Sequence, residues 1–322
     1  MEDHSPLRVA LFLDGRPGHE KQTRGVLAAL QGLTPLEVRE YVVPGGSPVF
    51  RVGSRLKWGV TLGGRLAGRK NGDGADLILG TGSAVHAPML LYRKRAGGRA
   101  VTCMTPDYPF SRLMDLCIVP EHDQPGKADN VFTTLGPPAA AARADDHDPD
   151  RGLVLVGGRD RKSHVWDDAL VTDQVVKAVR SAPRVKWSVT TSPRTPARTT
   201  ALLERAVAGE KNAMLFPFSR TPPGWVEERY AKSAWCWVTA DSVSMLFEAL
   251  SAGCRAGIIP VEWKNPESRV ARAVDSVLAR GLALDFERRA ELVKSSFSPP
   301  ALNEAERAAR EILARWWPGR LP

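Results

Sequence analysis

Short apolar runs alternate with amphipathic stretches along this chain, and the alternation occurs twice. It begins with LRVALFL at 7–13, a glycine-containing loop, and a helical stretch over 19–30. Strand-like runs recur at 36–43, 76–80, 100–104, 115–120 and 130–135, with a helical stretch over 84–96. The segment 137–150, PPAAAARADDHDPD, is polar and aperiodic. After it the pattern restarts with GLVLVGG and runs through further strands (KWSVTT, NAMLF, CWVT, RAGIIP) and the helices between them. Strands that are apolar throughout, separated by amphipathic helices, indicate parallel sheets covered on both faces. The expected architecture is therefore α/β, with two doubly wound Rossmann-like domains, 1–145 and 146–322, facing a central cleft. The last helix, over 302–317, is free to pack back on the first domain.

The length of 322 residues is enough for two cores, and 43% hydrophobic with 25% charged residues excludes a disordered, coiled-coil or collagen-like chain. No apolar run approaches the ~18 residues that span a bilayer. The opening MEDHSP lacks the basic-then-apolar order of a secretion signal. Cys103, Cys117, Cys236 and Cys254 show no C-x-x-C spacing, so neither disulfides nor a metal site is expected, and a reducing cytoplasmic setting is.

The net charge of +9 calls for an anionic partner. From Tyr41 to Pro106 ten bases stand against two acids, interleaved with Phe50, Leu56 and Trp58. That mixture suits peripheral contact with an anionic membrane through Val49 to Lys70, on the inner face of the cytoplasmic membrane, although its glycines disfavour a regular helix; a solvated glycine-rich loop with its basic residues pointing outward is the plainer alternative. Nucleic acid is not expected as a partner, because no helix-turn-helix or aromatic-rich basic motif appears.

The chemistry-bearing residues sit where strands end. Neither a G-x-G-x-x-G nor a Walker pattern follows the first strand, which argues against a dinucleotide dehydrogenase and a P-loop enzyme. In TADSVSMLFEALSAG a strand ends near Thr239 and a helix starts near Ser242. Such a helix start binds phosphate, with Ser242 and Ser244 adding hydroxyls and Glu248 able to reach a ribose; a capped helix with a solvated glutamate is the plainer alternative. In LVGGRDRKSHVW, Gly157 and Gly158 allow close backbone approach, and Arg159, Arg161 and Lys162 can neutralise a diphosphate leaving group. TTSPRTP brings Thr191, Ser192 and Arg194 to the same edge, for the base or as helix caps. In the first domain DGRPGHEKQ places Asp14, Gly18, His19 and Glu20 directly after the first strand. His19 or Glu20 can serve as general base on an acceptor hydroxyl, with Asp14 orienting His19; alternatively the acids only brace the loop. LGTGSAVHAP adds Gly82 and Ser83 as candidate acceptor contacts, while His86 reads as a packed helix residue.

Taken in order, DGRPGHEKQ, GTGSAVHAP, CIVPEHD, NVFTTLGPP, VGGRDRKSHVW, TTSPRTP and ADSVSMLFEALSAG resemble the mitochondrial-fission ELM family and its bacterial members over residues 8 to 260. That family is similar to GT-B glycosyltransferases. The resemblance implies a metal-independent donor site in the second domain; the leading reading of the motifs takes a nucleotide-diphospho-sugar as substrate, with no further cofactor. The expected activity is transfer of a sugar to an acceptor hydroxyl on a glycan or lipid-linked molecule. A nucleotide-sugar epimerase of the same fold, or a membrane-associated interaction protein with a degenerate nucleotide site, are the alternatives.

Overall fold

The computed structural model describes residues 5–43, 74–138, 146–294 and 297–322. The basic stretch from Val49 to Lys70 lies outside them. The chain divides into two units, Met1–Ala140 with Glu304–Pro322, and Ala141–Asn303.

In the first unit β1 (Leu7–Leu13), α1 (Pro17–Leu33), β2 (Leu36–Val42), β3 (Leu77–Gly80), α2 (Ser83–Ala96), β4 (Arg99–Thr102), β5 (Leu116–Pro120) and β6 (Val131–Thr134) build a parallel sheet in the order β2-β1-β3-β4-β5-β6. Successive side chains of a strand point to opposite faces. Leu7, Val9, Leu11 and Leu13 accordingly meet Val26, Leu27 and Leu30 of α1 on one face. Ala10 and Phe12 meet Val85, Met89 and Tyr92 of α2 on the other.

The division at 146–322 needs one correction. The helix Glu304–Trp316 belongs to the first unit, because Ala308, Ala309, Ile312 and Leu313 complete the apolar layer over β1 and α1. The buried Glu304 carboxylate accepts the Leu135 amide at 2.8 Å and pairs with Arg307 at 2.7 Å.

The second unit contains β7 (Asp148–Leu155), β8 (His164–Val165), α3 (Asp168–Arg180), β9 (Lys186–Thr190), α4 (Ala197–Ala208), β10 (Ala213–Phe216) and α5 (Trp225–Lys232). It continues with β11 (Ser233–Thr239), α6 (Val243–Ala252), β12 (Arg255–Ile259), β13 (Glu262–Trp263), α7 (Arg269–Ala279) and β14 (Ala283–Asp285). The parallel sheet runs β10-β9-β7-β11-β12-β14, while β8 and β13 form a separate antiparallel pair. Numbered within the unit, that sheet is the Rossmann order, and its direction of winding reverses between β7 and β11. In the first unit the reversal falls between β1 and β3.

Two strand glycines have a visible packing reason. A Cβ on Gly257 would lie 2.3 Å from the Trp237 ring of its neighbour in register, and one on Gly152 would lie 2.4 Å from Trp187. Each indole is laid across a strand that has no side chain there. Gly257→Ala is expected to cost about 1–3 kcal/mol by overpacking. Gly209→Ala, where the nearest atom is 3.5 Å away, should stay within about 0.5 kcal/mol. Urea midpoints of the two variants compare them directly, and equal midpoints would refute the packing argument.

All four cysteines are free and buried. Burial pushes the Cys103 and Cys254 thiols up to about 12 and Cys117 up to about 11, which leaves them inert near neutral pH. Among the described residues no helix is long and apolar enough to cross a membrane, and no group of three or more His, Cys, Asp or Glu could hold a metal ion.

Candidate functional site

In open α/β sheets ligands bind outside the carboxyl ends of the strands where the winding reverses. Each unit concentrates its polar loop residues at that place.

In the second unit the loops after β7 and β11 meet around Asp241, whose side chain is 1% exposed. Its Oδ1 accepts the Thr239 hydroxyl at 2.7 Å. Its Oδ2 accepts the Gly158 amide at 3.0 Å, the Ser242 hydroxyl at 3.1 Å and Arg194 at 2.8 Å. The Gly157 amide donates to Thr239 Oγ1 at 2.8 Å. A Cβ on Gly157 would sit 2.1 Å from Ser242 Oγ, and one on Gly158 would sit 2.1 Å from the Arg194 carbonyl. The sequence reading of these glycines is therefore corrected. Their missing side chains let protein loops close on one another, and both amides are spent within the protein instead of facing a ligand.

Thr191 and Ser192 are likewise buried and engaged. Thr191 Oγ1 accepts the Phe218 amide at 2.9 Å, and Ser192 Oγ donates to the Gly157 carbonyl at 3.0 Å. The ring of His164 braces the same loop, with Nε2 3.1 Å from the Gly158 carbonyl and Nδ1 2.8 Å from Ser163 Oγ. The Lys162 amide and then the Ser163 hydroxyl hold the Asp160 carboxyl below the usual range.

Ser242 is the residue before α6, yet its side chain makes no capping bond, because its hydroxyl is turned to Asp241. The first amides of a helix have no intrahelical partner. This helix start thus presents uncapped donors beside the exposed Ser244 and the half-exposed Arg194. Arg159 and Lys162 are exposed on the adjoining loop, Arg159 with a loose 4.0 Å pair to Asp168. Glu248 is buried deeper in α6, near Tyr230, whose phenol is pushed well above its ordinary pKa first by burial and then by the Glu248 charge.

In the first unit Asp14 closes β1 and is 2% exposed, with Oδ2 2.8 Å from Nδ1 of His19 and Oδ1 accepting the Arg16 amide at 3.1 Å. Glu20 Oε1 accepts the Gly15 amide at 3.1 Å, which closes the loop in one turn. Gly82, after β3, has φ +113°, and a Cβ there would lie 2.5 Å from both Asp14 Oδ2 and His19 Nδ1. The loop after β3 is thus pressed against the Asp14–His19 pair, and Ser83 follows as the first residue of α2. Gly18 has nothing within 4 Å of a Cβ, so packing does not require glycine there. The carboxylate engages Nδ1, so Nε2 is the nitrogen left for chemistry, and His19 is 26% exposed.

Sequence reasoning underrated two residues. Asp241, in TADSVSMLFEALSAG, carries no assigned ligand-binding role there, and Arg194 is grouped with Thr191 and Ser192 at one strand edge. Their side chains tie the loops after β7, β9 and β11 together, a link that no local spacing encodes.

A family model described as mitochondrial fission ELM1 matches residues 17–316. No curated protein matches the sequence. Among solved structures, a putative UDP-N-acetylglucosamine 2-epimerase from Listeria monocytogenes is similar at 13% identity and TM-score 0.61, over 96% of this chain and 95% of that one. The UDP-GlcNAc 2-epimerase from Methanocaldococcus jannaschii is similar at 12% and 0.60, over 96% and 99%. That from Neisseria meningitidis, bound to UDP-GlcNAc, is similar at 11% and 0.53, over 96% and 99%. At such identities the likeness is one of fold, two Rossmann-like units as in GT-B-type proteins.

Proposed function

The chain belongs to the mitochondrial fission ELM1 family, and on that premise we propose that it is a metal-independent glycosyltransferase using a nucleotide-diphospho-sugar. The observation that carries the reading is the uncapped start of α6 at the reversal point of the second sheet. A helix N-terminus with free amides and nearby arginines is suited to a diphosphate. Ser242, Ser244, Arg194, Arg159 and Lys162 are assigned to the diphosphate, Glu248 to the ribose, and the loops carrying Gly157, Gly158, Thr191 and Ser192 to the shape of the pocket. Cationic side chains then stabilise the departing diphosphate in place of a metal.

In the first unit His19 is assigned as general base. Asp14 holds the Nδ1–H tautomer, so Nε2 carries the lone pair that takes the acceptor proton. Gly18, Gly82 and Ser83 are assigned to the acceptor, a hydroxyl on a glycan or a lipid-linked molecule.

The three structures of like fold are named as UDP-GlcNAc 2-epimerases, one of them putative, which supports epimerisation as the second reading. Against it, both oxygens of Asp14 are engaged and Glu20 is bonded to the Gly15 amide, leaving one base at this loop. Epimerisation turns over donor alone, whereas transfer requires an acceptor.

A thermal-shift panel with UDP, GDP, ADP, CMP and TDP tests the common premise. One nucleotide at ~100 times its dissociation constant should add about 2.7 kcal/mol. The Glu248→Ala variant should lose most of that response. A flat panel for all five nucleotides would remove both enzyme readings.

A further inference from the structure

A cavity of about 160 Å³ opens at the opposite end of the second sheet, lined by Arg151, Lys186, Ser188, Arg229, Lys232 and Ser233. It lies at the amino ends of β9 and β11 and beside Arg151 of β7, which is paired in register with Lys186. The reversal-point loops follow the carboxyl ends of β7 and β11, whereas the lining includes the first residues of β9 and β11; the four steps from Lys186 to Thr190 span roughly 13 Å. The lining holds four cationic side chains and no acid.

Two of the four cations are already matched, Arg151 by Asp148 and Lys232 by Glu228. Lys186 and Arg229 have no ion pair among the described residues. Arg229 is fixed in place by stacking, its guanidinium carbon 5.0 Å from the Trp225 ring centre and 5.7 Å from that of Phe216. Its Nε is nevertheless buried with no hydrogen-bond partner. A native protein rarely leaves a buried donor unpaired, and a bound ion or water is one way such a donor is satisfied. Lys186 and Ser188, two apart on β9, share a face of the sheet, so a hydroxyl joins the cationic donors. The volume equals about five waters of bulk liquid, room enough for a phosphate group.

We propose that this cavity is a second anion site, specific for a phosphate dianion or a phosphate monoester and separate from the nucleotide site. Arg229 supplies the preorganised planar donor, Lys186 the mobile charge, and Ser188 and Ser233 hydroxyls.

The test is calorimetric titration of the full chain with inorganic phosphate at low ionic strength, on wild type, Lys186→Gln, Arg229→Gln and Arg194→Gln. Arg194→Gln removes phosphate contact at the nucleotide site, and saturable binding that persists in it and in wild type, weakened at least tenfold by Lys186→Gln and by Arg229→Gln, is the expected result. Lys186 is exposed, so its variant decides the matter even where Arg229→Gln folds poorly. Equal affinity in wild type and Lys186→Gln, or no saturable binding, overturns the proposal. Flotation with vesicles containing phosphatidic acid identifies the source. Wild-type flotation that Lys186→Gln abolishes assigns a lipid headgroup, and phosphate binding without flotation assigns the free ion. The UDP response of Lys186→Gln should equal that of wild type, so failure of the nucleotide reading leaves this result standing.

Discussion

Asp241→Ala is expected to destabilise the second unit by about 3 kcal/mol. The carboxylate accepts four hydrogen bonds while almost wholly buried. Removing it strands the Gly158 amide and the Thr239 hydroxyl in a dry place, and a buried donor left unmade costs about 1–3 kcal/mol. Arg194 adds little to that sum, since its side chain is 44% exposed and water replaces the lost partner. For a unit of this size about 3 kcal/mol corresponds to a fall in Tm of the order of 10 °C.

Asp241→Asn makes the mechanism specific. Its oxygen can take the Oδ2 place, and its amide can donate to Thr239 Oγ1, which has capacity for a second acceptor role. The asparagine variant should then lose only about 1 kcal/mol, chiefly because the Thr239 hydroxyl must turn to another acceptor. Nucleotide binding by Asp241→Ala should fall at least tenfold, because the start of α6 is held in place by this side chain. Denaturant curves and the nucleotide panel read both effects. An alanine variant as stable as wild type, or an asparagine variant as damaged as alanine, contradicts the assignment of Asp241 as the hub.

The second large effect concerns turnover. His19→Ala should lower sugar transfer by about 10²- to 10⁴-fold, the usual contribution of a positioned general base. Nucleotide binding should be unchanged, since the assigned nucleotide residues are all in the second unit. Asp14→Asn sharpens the test. The asparagine amide can donate to Nδ1 of His19, which moves the ring proton to Nε2 and removes the base while retaining the ring. A comparable loss in His19→Ala and Asp14→Asn, measured as UDP release from a donor panel in the presence of acceptor, is the expected outcome. Wild-type rates in His19→Ala would reject the base assignment.

How much of this is legible in the sequence depends on length. LRVALFL reads as a strand because seven consecutive apolar-rich residues leave no wet face, and β1 spans Leu7–Leu13. Ala283–Asp285 is also a strand, but three residues carry no period, and sheet pairing with β12 alone defines it. The β8–β13 pair, two residues each, is invisible for the same reason. The Asp14–His19 contact is accessible to sequence reasoning because a strand end and the next helical turn fix both residues within five positions. The Asp241–Gly158 bond spans 83 positions and depends on which two strands become neighbours. Gly157 and Gly158 show the limit most clearly. Their presence is plain in the sequence, but whether a ligand or another loop occupies the space beside them is a tertiary fact.

The helix Glu304–Trp316 imposes an order on synthesis. A ribosome delivers Ala141–Asn303 complete before it releases the residues that finish the first unit. Domains tend to fold as units while the chain emerges. Here the first sheet must wait, its face over β1 missing Ala308, Ala309, Ile312 and Leu313, while the later-made second unit closes ahead of it. A premature stop anywhere in the last turns of the gene product would therefore damage the half of the protein that was translated first.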